Sequence, residues 1–303
     1  MKLKWKYSFA CAIALFFILL ANAQTLPDTL NRKLLKRIIV AESVTSVSAI
    51  AGLYSFWYAD YAHSSFHFFN DNREWLQMDK VGHATTAYNM GKIGYELLRW
   101  PGVEKKRALW YGGTLGYAFL TTIEIMDGFS AEWGASPGDV LANTLGTALF
   151  MGQQFAWDEQ RASLKWSFHK TKYSKYTPDV LGENLLQNMI KDYNGQTYWL
   201  SVNIHSFLPS DSRFPKFLNV AFGYGAEGML RGHVNPAAIN GVAVPVFERT
   251  RQYYLSLDLD LTRIKTNSRA LNNLFHIISV VKFPFPAIEY NSGRQWKVHG
   301  FYF

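Results

Sequence analysis

The stretch "RQYYLSLDLDLTRI", from Arg251 to Ile264, alternates large apolar side chains with polar ones. Tyr253 and the four leucines that follow it fall on one face, whereas Ser256, Asp258 and the other residues at every second position fall on the opposite face. A period of two residues is the pattern of a β-strand whose two faces meet different surroundings. This stretch therefore predicts that the C-terminal part of the chain is built from strands.

Two other C-terminal segments have the same character and are separated by turn residues. They run from Thr197 to Phe207 and from Phe217 to Leu230. The segment from Leu271 to Phe283 fits a short helix or a strand equally well. Consecutive strands joined by turns pair antiparallel, so we expect an antiparallel β region over residues 176–303.

The first half of the chain has helical periodicity instead. Four helices are predicted over these ranges: Lys36–Asp60, Asp79–Trp100, Lys105–Asp127 and Pro137–Trp157. The last has the clearest start, because Ser136 is a good N-cap and Pro137 suits the first helical position. Short links between helices favour antiparallel packing. The sequence therefore predicts an α+β fold, with an N-terminal antiparallel bundle of about four apolar helices over residues 24–175, followed by the β region.

The N-terminus has the pattern of a signal peptide. Three lysines precede an apolar core from Phe9 to Leu20, and small residues follow up to Ala23. We expect cleavage after Ala23, so that residues 1–23 are the signal peptide, and an uncleaved anchor is the alternative. We therefore expect an exported protein of the periplasm or outer membrane of a Gram-negative bacterium.

The only cysteine, Cys11, lies inside the apolar core of the signal peptide, where it does not fit a lipid-modification motif. The mature chain then contains no cysteine. This excludes disulfides, thiolate metal sites and a cysteine nucleophile.

Each predicted helix is long enough to cross a bilayer, but the charges argue against a crossing. The basic segments between the helices would lie outside the cytoplasm, which inverts the usual distribution. The apolar runs also contain Glu42, Lys92, Glu96 and Glu124, which are costly in lipid. We therefore expect a helical bundle on the periplasmic side of a membrane, docked on its surface.

The charge balance is mildly basic. The chain has 31 basic and 23 acidic residues, and loss of three signal-peptide lysines leaves an excess of five positive charges. Basic side chains cluster in residues 31–37, 104–107 and 165–175. The partners we expect are a membrane lipid or lipopolysaccharide surface, or another envelope protein, and no nucleic acid.

Polar side chains of three helices are predicted to meet at one end of the bundle. Antiparallel packing brings together the start of the second helix, the end of the third and the start of the fourth. The candidate polar cluster consists of these residues: Asp79, Lys80, His83, Glu124, Asp127, Asp139 and Asn143. Spacings of three or four residues place the members from one helix on a shared face.

This cluster has two interpretations. In the first it is a structural network, because buried polar groups must be paired and a satisfied network fixes helix register. In the second it is an acid–base or divalent-metal site, with His83, Asp79, Glu124 and Asp139 as the metal candidates. The chain has no standard zinc motif and no P-loop. Catalytic residues are therefore not assigned and no cofactor is predicted, with a divalent metal as the alternative.

Two segments of this helical part carry a family resemblance. "DKVGH" (Asp79–His83) and "EIMDGFSAEWGASPGDVLANTLG" (Glu124–Gly146) resemble the YfiM-like family of predicted periplasmic lipoproteins, a domain of unknown function, over a core of about residues 79–152. The later segments "YWLSVN", "GYGAEGM" and "YYLSLDLDL" are similar to the longer form found in Bacteroidetes-type envelopes. The Asp-Lys-x-x-His step is also distantly similar to VanZ-like membrane proteins. The resemblance implies a place in the cell envelope and no particular chemistry.

We therefore expect a cell-envelope protein of unknown activity, with a structural or interaction role at the periplasmic side of the outer membrane. The alternative is a membrane-associated hydrolase or transferase. It would act on a lipid or cell-wall precursor through Asp79, His83, Glu124 and Asp139.

Overall fold

The computed structural model describes residues 29–58 and 61–302. The expected signal peptide, residues 1–23, lies outside the described residues. The described chain forms two compact units. The first comprises residues 29–70, 86–159 and 266–277, and the second comprises residues 71–85, 160–265 and 278–302.

The first unit is helical. The helices of the first half of the chain are α1 (Arg32–Leu53), α2 (Met78–Arg99), α3 (Lys105–Gly113), α4 (Leu115–Gly128) and α5 (Pro137–Trp157). A π-helical turn, Tyr54–Tyr58, continues α1, and α2 passes from the second unit into the first after residue 85. Among the helices that the structure describes, none combines the length and the hydropathy needed to cross a membrane.

Side-chain caps set the starts of two of these helices. The Asn31 side chain accepts a hydrogen bond from the Leu34 backbone N–H at 3.0 Å, so α1 begins four residues before the expected start. The Ser136 hydroxyl accepts one from the Asp139 N–H at 3.1 Å. With Pro137 at the first helical position, this confirms the predicted start of α5.

The expectation of one continuous helix over Lys105–Asp127 is wrong, because the helix breaks at Thr114. Two glycines precede the break, and glycine is a poor helix former. The Thr114 hydroxyl donates to the Trp110 carbonyl at 2.6 Å, a local bond of the kind that bends helices. Gly112 is needed where α3 crosses α2, since a Cβ atom there would lie 2.4 Å from the backbone of Gly94.

The second unit is built on a six-stranded sheet in which every neighbouring pair is antiparallel. In spatial order its strands are β1 (Ala162–Phe168), β2 (Gln196–Asn203), β3 (Leu218–Glu227), β6 (Thr250–Leu259), β7 (Phe285–Asn291) and β8 (Trp296–Tyr302). The α+β class is therefore confirmed, with the antiparallel sheet towards the C-terminus. The four-helix bundle and the apolar character of its helices stay predictions.

Short elements lie between these strands. They are α6 (Pro178–Leu181), α7 (Leu185–Lys191), the hairpin of β4 (Ala238–Ile239) and β5 (Val242–Ala243), and α8 (Arg269–Ile278). The segment from Leu271 to Phe283, which fitted a helix or a strand, thus contains most of α8. Strand β1 lies before residue 176, where the β region was expected to begin. Strand β1 contains Lys165 of the basic segment, and this lysine is buried. A charged residue at a buried position does not fit the usual alternation of exposed polar and buried apolar residues, so the strand was not predicted.

The sheet has its polar side buried and its apolar side exposed. On β6 the alternation predicted from the sequence is present, but the polar residues Gln252, Ser256 and Asp258 are buried. The intervening residues Leu255 and Leu257 are 46% and 43% exposed. This is the reverse of a soluble sheet, whose apolar face is usually the covered one.

Hydrogen bonds and an ion pair stabilise the buried polar side. Lys165 Nζ lies 2.6 Å from Asp258 Oδ2, which also accepts a hydrogen bond from the Ser201 hydroxyl at 2.6 Å. The sheet is curved, because Thr197 on β2 and Tyr302 on β8 bring their hydroxyl oxygens within 3.0 Å of each other. Buried polar groups are tolerated when they are paired in this way.

Candidate functional site

A left-handed turn precedes the helix that carries the "DKVGH" segment. Trp75, Leu76 and Gln77 have φ values of 47°, 51° and 63°. None is glycine, and an L-residue in this region costs about 1–2 kcal/mol. Three consecutive residues in this conformation require strong support from the surrounding structure.

The second unit supplies this support. Three hydrogen bonds hold the turn: Trp75 N–H to Gly232 O at 2.8 Å, Arg251 Nη2 to Gln77 Oε1 at 2.5 Å, and Tyr224 OH to the Leu76 carbonyl. The Trp75 ring also packs on Tyr193, with centroids 5.5 Å apart. These contacts therefore hold the turn, and the residues of α2 that directly follow it, within the sheet unit.

The first turn of α2 carries a paired set of charges. Lys80 Nζ lies between two carboxylates, 2.6 Å from Asp71 Oδ1 and 3.1 Å from Asp79 Oδ2. His83, one helical turn later, places its Nε2 3.7 Å from Asp79 Oδ1. All four side chains are 14–22% exposed. Lys80 thus joins the start of α2 to the loop before it.

The same helical turn is held against the sheet. The Tyr193 hydroxyl donates a hydrogen bond to Asp79 Oδ1 at 2.6 Å. Gly82 allows close packing, because a Cβ atom there would lie 2.7 Å from the hydroxyl oxygen of Tyr198 on β2. Met78 is fully buried in a cluster with Tyr198. We call Asp71, Asp79, Lys80, His83 and Tyr193 the α2 polar clasp.

The pKa of Asp79 reports the balance of forces in the clasp. Burial acts to raise this pKa, but the charges of His83 and Lys80 and the hydrogen bond from Tyr193 outweigh burial and lower the pKa below its usual 3.8. The ionised carboxylate therefore stabilises the fold. A carboxylate whose pKa is lowered by folding stabilises the folded state at pH values above its unfolded-state pKa. This stabilisation is lost as the pH falls through the folded-state pKa.

We expect Asp79→Asn to destabilise the protein by roughly 1–3 kcal/mol at neutral pH, because Lys80 loses one of its two carboxylate partners and Tyr193 loses its charged acceptor. The difference in Tm between wild type and variant should shrink as pH falls below 3.8, because the unfolded chain then binds a proton at Asp79 that the folded chain accepts only at still lower pH. Thermal melts between neutral and strongly acidic pH would measure this. Asp211→Asn, at an exposed loop carboxylate, is the control. A constant difference at all pH values would contradict the assigned charge state.

The first unit contains another group of the candidate residues. Glu124 and Asp139 are each 3% exposed, and Asn143 is fully buried. Glu124 Oε2 accepts a hydrogen bond from the Ser136 N–H at 2.9 Å, so Glu124 holds the residue that caps α5. Asp139, Asn143 and Thr147 form a buried polar stripe along α5, at spacings that share one helix face.

Asp127 lies beside a small aromatic cavity of the first unit. Its Oδ1 accepts a hydrogen bond from the Tyr58 hydroxyl at 2.6 Å. The cavity has a volume of about 200 Å³ and is lined by Tyr54, Tyr58, Tyr61, Ala62, His63, Met126, Phe129 and Ser130. Its lining is mostly aromatic and apolar, which does not indicate acid–base chemistry.

The structure thus brings together Asp79, Lys80 and His83 in the second unit, and Glu124 with the capped start of α5 in the first. Convergence of both groups in one layer stays a prediction, as does a metal held by His83, Asp79, Glu124 and Asp139. Sequence reasoning missed Asp71 and Tyr193. No local signal could identify Tyr193, since it lies 114 residues after Asp79.

Comparisons with known proteins give one match. Residues 67–152 match the model of the family described as "Predicted periplasmic lipoprotein (DUF2279)". This range contains the seven candidate residues, and the description supports an exported, periplasmic or envelope location. No curated protein and no solved structure matches the chain. The narrower YfiM-like and VanZ-like resemblances stay predictions.

Proposed function

We propose that this chain is a non-enzymatic, membrane-associated protein of the cell envelope, with a structural or interaction role at the periplasmic side of the outer membrane. The observation that carries the proposal is the α2 polar clasp. Its charged side chains lie against one another and against Tyr193, at distances of 2.6–3.7 Å.

The clasp has the features of a structural device. It begins on the left-handed turn, it uses Tyr193 of the sheet unit, and Gly82 brings α2 into contact with β2. A satisfied polar network in a partly buried position fixes one packing arrangement. Four of the five clasp residues, Asp71, Asp79, Lys80 and His83, lie in the range that matches the family model. A structural role for the clasp would account for "DKVGH" without an activity.

Membrane association is supported by apolar side chains that the structure leaves exposed. Val40, Val44 and Val47 on α1 are 53–66% exposed, and Leu141 and Leu145 on α5 are each 59% exposed. Soluble monomers rarely expose large contiguous apolar patches. Lipid, lipopolysaccharide or another envelope protein are the partners that such surfaces fit.

The basic segment at the start of α3 contributes less to membrane contact than its charge suggests. Lys105 forms an ion pair with Asp158, and Arg107 Nε lies 3.7 Å from Glu104 Oε2. Exposed pairs of this kind are weak, yet they offset part of the positive charge. Lys106 has its side chain exposed.

The alternative function is a membrane-associated hydrolase or transferase. A carboxylate and an imidazole on one helical turn can act as acid and base or bind a divalent metal. Asp79 and His83 have this relation, and Glu124 and Asp139 would complete the site.

Metal content and thermal stability, measured on the same samples of wild type and His83→Ala, separate these functions. We expect no stoichiometric divalent metal in the wild type. We expect a clear drop in Tm for the variant, equivalent to roughly 1–2 kcal/mol, because the partly buried Asp79 loses the imidazole that lies 3.7 Å from its Oδ1. His233→Ala, at an exposed loop histidine, is the control and should leave Tm nearly unchanged. A stoichiometric metal that His83→Ala removes would contradict the proposal and favour the enzyme.

A further inference from the structure

We propose that the exposed face of the six-stranded sheet contacts the acyl chains of a bilayer, with a row of aromatic side chains at the headgroup level. This inference deepens the proposed function, since it names the surface and the partner through which the chain associates with a membrane. It is carried by the register of the strands and by the exposure of their outward side chains.

One row of large apolar side chains crosses the whole sheet. Each strand contributes one residue, and each residue is the direct partner of the next: Leu164, Leu200, Phe222, Leu255, Ile288 and Val298. Five of the six are 38–81% exposed. A continuous apolar row over six strands is a patch that water does not favour.

The neighbouring row, two residues along each strand, is entirely aromatic. Its members are also direct partners across the sheet: Trp166, Tyr198, Tyr224, Tyr253, Tyr290 and Trp296. Tyr and Trp have an apolar ring with a polar tip and concentrate where lipid meets water. Tyr253 and Trp296 are 47% and 72% exposed, whereas Tyr198 is buried against Met78 at the start of α2. The exposed end of this row, on β6 and β8, is therefore the part that can lie where lipid meets water.

Polarity changes in one direction along the strands. The row on one side of the aromatic residues is mixed, with Phe168 and the buried residues Gln196 and Ala226 beside the partly exposed Arg251. On the other side, beyond the row of Leu255, lie Val202, Val220 and Leu257. Among the described strand residues, no charged side chain faces outward beyond the aromatic row. The uncharged apolar rows therefore lie on one side of the aromatic row, as the hydrocarbon of a bilayer lies beneath its interface.

The dimensions suit a bilayer leaflet. Rows on one strand face are about 6.6 Å apart. Three apolar rows extend from the aromatic row to the pair Leu218 and Leu259, so the face is about 20 Å long. The hydrocarbon of one leaflet is about 15 Å thick.

Positive charge lies at the aromatic end of the sheet. The connection between β1 and β2 leaves and returns at this end, and it contains Lys170, Lys172 and Lys175. These lysines line a groove of about 390 Å³. In the same connection Leu185 and Leu186 are 58% and 63% exposed. Cations beside the aromatic row are complementary to the phosphates of lipid headgroups.

The α2 polar clasp is at this same level. Tyr198 and Tyr224 of the aromatic row pack with Met78 at the start of α2, and Tyr193 of the clasp precedes β2. The clasp therefore stabilises the aromatic end of the sheet, which we place at the level of the lipid headgroups. A second copy of the chain is a poorer occupant, because protein interfaces combine apolar contacts with a polar rim and polar bonds across the centre. Here the row of Leu255 and the aromatic row each have one chemistry across all six strands.

Vesicle binding tests the assignment with the full chain in which Cys11→Ser removes the only cysteine. Vesicles of zwitterionic phosphatidylcholine exclude simple charge attraction. Leu255→Arg should weaken binding at least tenfold, because a cation on a lipid-facing position is costly. The matched control is Val246→Arg, at a fully exposed valine outside the sheet, and it should bind like the parent. Circular dichroism of each variant checks that it folds.

The outcomes are distinct. Unchanged binding by folded Leu255→Arg would overturn the assignment of this face and leave membrane association intact. Absence of binding by the parent chain would overturn both the assignment and the membrane association in the proposed function. A lipid-free dimer in sedimentation that Leu255→Arg dissociates, without vesicle binding, would assign the face to a second copy and overturn the proposal.

A spin label gives a readout that does not depend on variant stability. A nitroxide attached after Leu255→Cys should become more accessible to oxygen than to a water-soluble nickel complex when vesicles are added. A nitroxide attached after Glu183→Cys, at an exposed polar position, should stay accessible to the nickel complex. Equal accessibility profiles for the two labels would overturn the proposal.

Discussion

Replacing Asp258 by alanine is expected to lower the free energy of unfolding of the sheet unit by about 3–5 kcal/mol, because it leaves a buried lysine without its partner. Lys165 and Asp258 have side chains that are 3% and 0% exposed, with Nζ and Oδ2 2.6 Å apart. Asp258 also accepts hydrogen bonds from Ser201 and from the Phe283 N–H, at 2.6 and 2.9 Å. One substitution therefore removes the acceptor for three groups.

Urea unfolding, followed by tryptophan fluorescence in detergent, would measure this change. Leu257→Ala is the matched control, since Leu257 is the preceding residue on the same strand and is 43% exposed. We expect less than about 1 kcal/mol for this control, as for most exposed substitutions. The loss of unfolding free energy for Asp258→Asn should lie between those for Asp258→Ala and Leu257→Ala, because the amide keeps a hydrogen-bond acceptor but has no charge. Equal costs for Asp258→Ala and Leu257→Ala would show that the polar side of the sheet is not the buried side.

Gly112→Ala is expected to destabilise the helical unit by about 1–3 kcal/mol, the usual cost of overpacking. The added Cβ atom would lie 2.4 Å from the backbone of Gly94 on α2, and no side-chain rotation can relieve a contact with backbone. The same crossing includes Gly116, whose Cβ would lie 2.5 Å from the carbonyl oxygen of Ala87. Helices α2, α3 and α4 therefore approach at backbone distance.

Gly152→Ala on α5 should stabilise the protein instead, because a Cβ atom there would have no neighbouring atom within 4 Å. The chemical change is identical and both sites are helical, so helix propensity alone gives about 0.5–1 kcal/mol of stabilisation. Thermal melts of the two variants beside wild type, followed by circular dichroism, would measure the pair. Shifts of the same sign would contradict the close crossing at Gly112.

The elements that the sequence predicts well have a local cause. Ser136 and Pro137 define the start of α5 through a hydrogen bond three residues away, and the alternation around Leu255 defines a strand. The break at Thr114 has a local contribution from Gly112 and Gly113, but it also accompanies the contact between Gly112 and Gly94 on another helix, which no local pattern shows. The left-handed turn at Trp75 also has no signal, since its residues are not the glycine or asparagine that favour this conformation.

The largest difference between the sequence prediction and the structure is which face of the sheet is buried. The alternation places Leu255 and Leu257 on one face of the strand and Ser256 and Asp258 on the other. It does not predict which of the two faces is buried. The long-range partner of Asp258, Lys165 on β1, decides this, and no local sequence pattern links these two residues. The clasp was predicted only in part. Asp79 and His83 share one helical turn, which the spacing shows, whereas Tyr193 lies 114 residues later in the chain.

Membrane fractionation of the full chain with Cys11→Ser tests the central claim most directly, since this variant has no cysteine that a lipid anchor could modify. Membranes from cells that express it would be washed with high salt and with alkaline carbonate, and then extracted with detergent. A membrane-associated envelope protein held by apolar contact should stay in the washed membranes and enter the detergent extract. Recovery of the chain in the soluble periplasmic fraction would contradict the account.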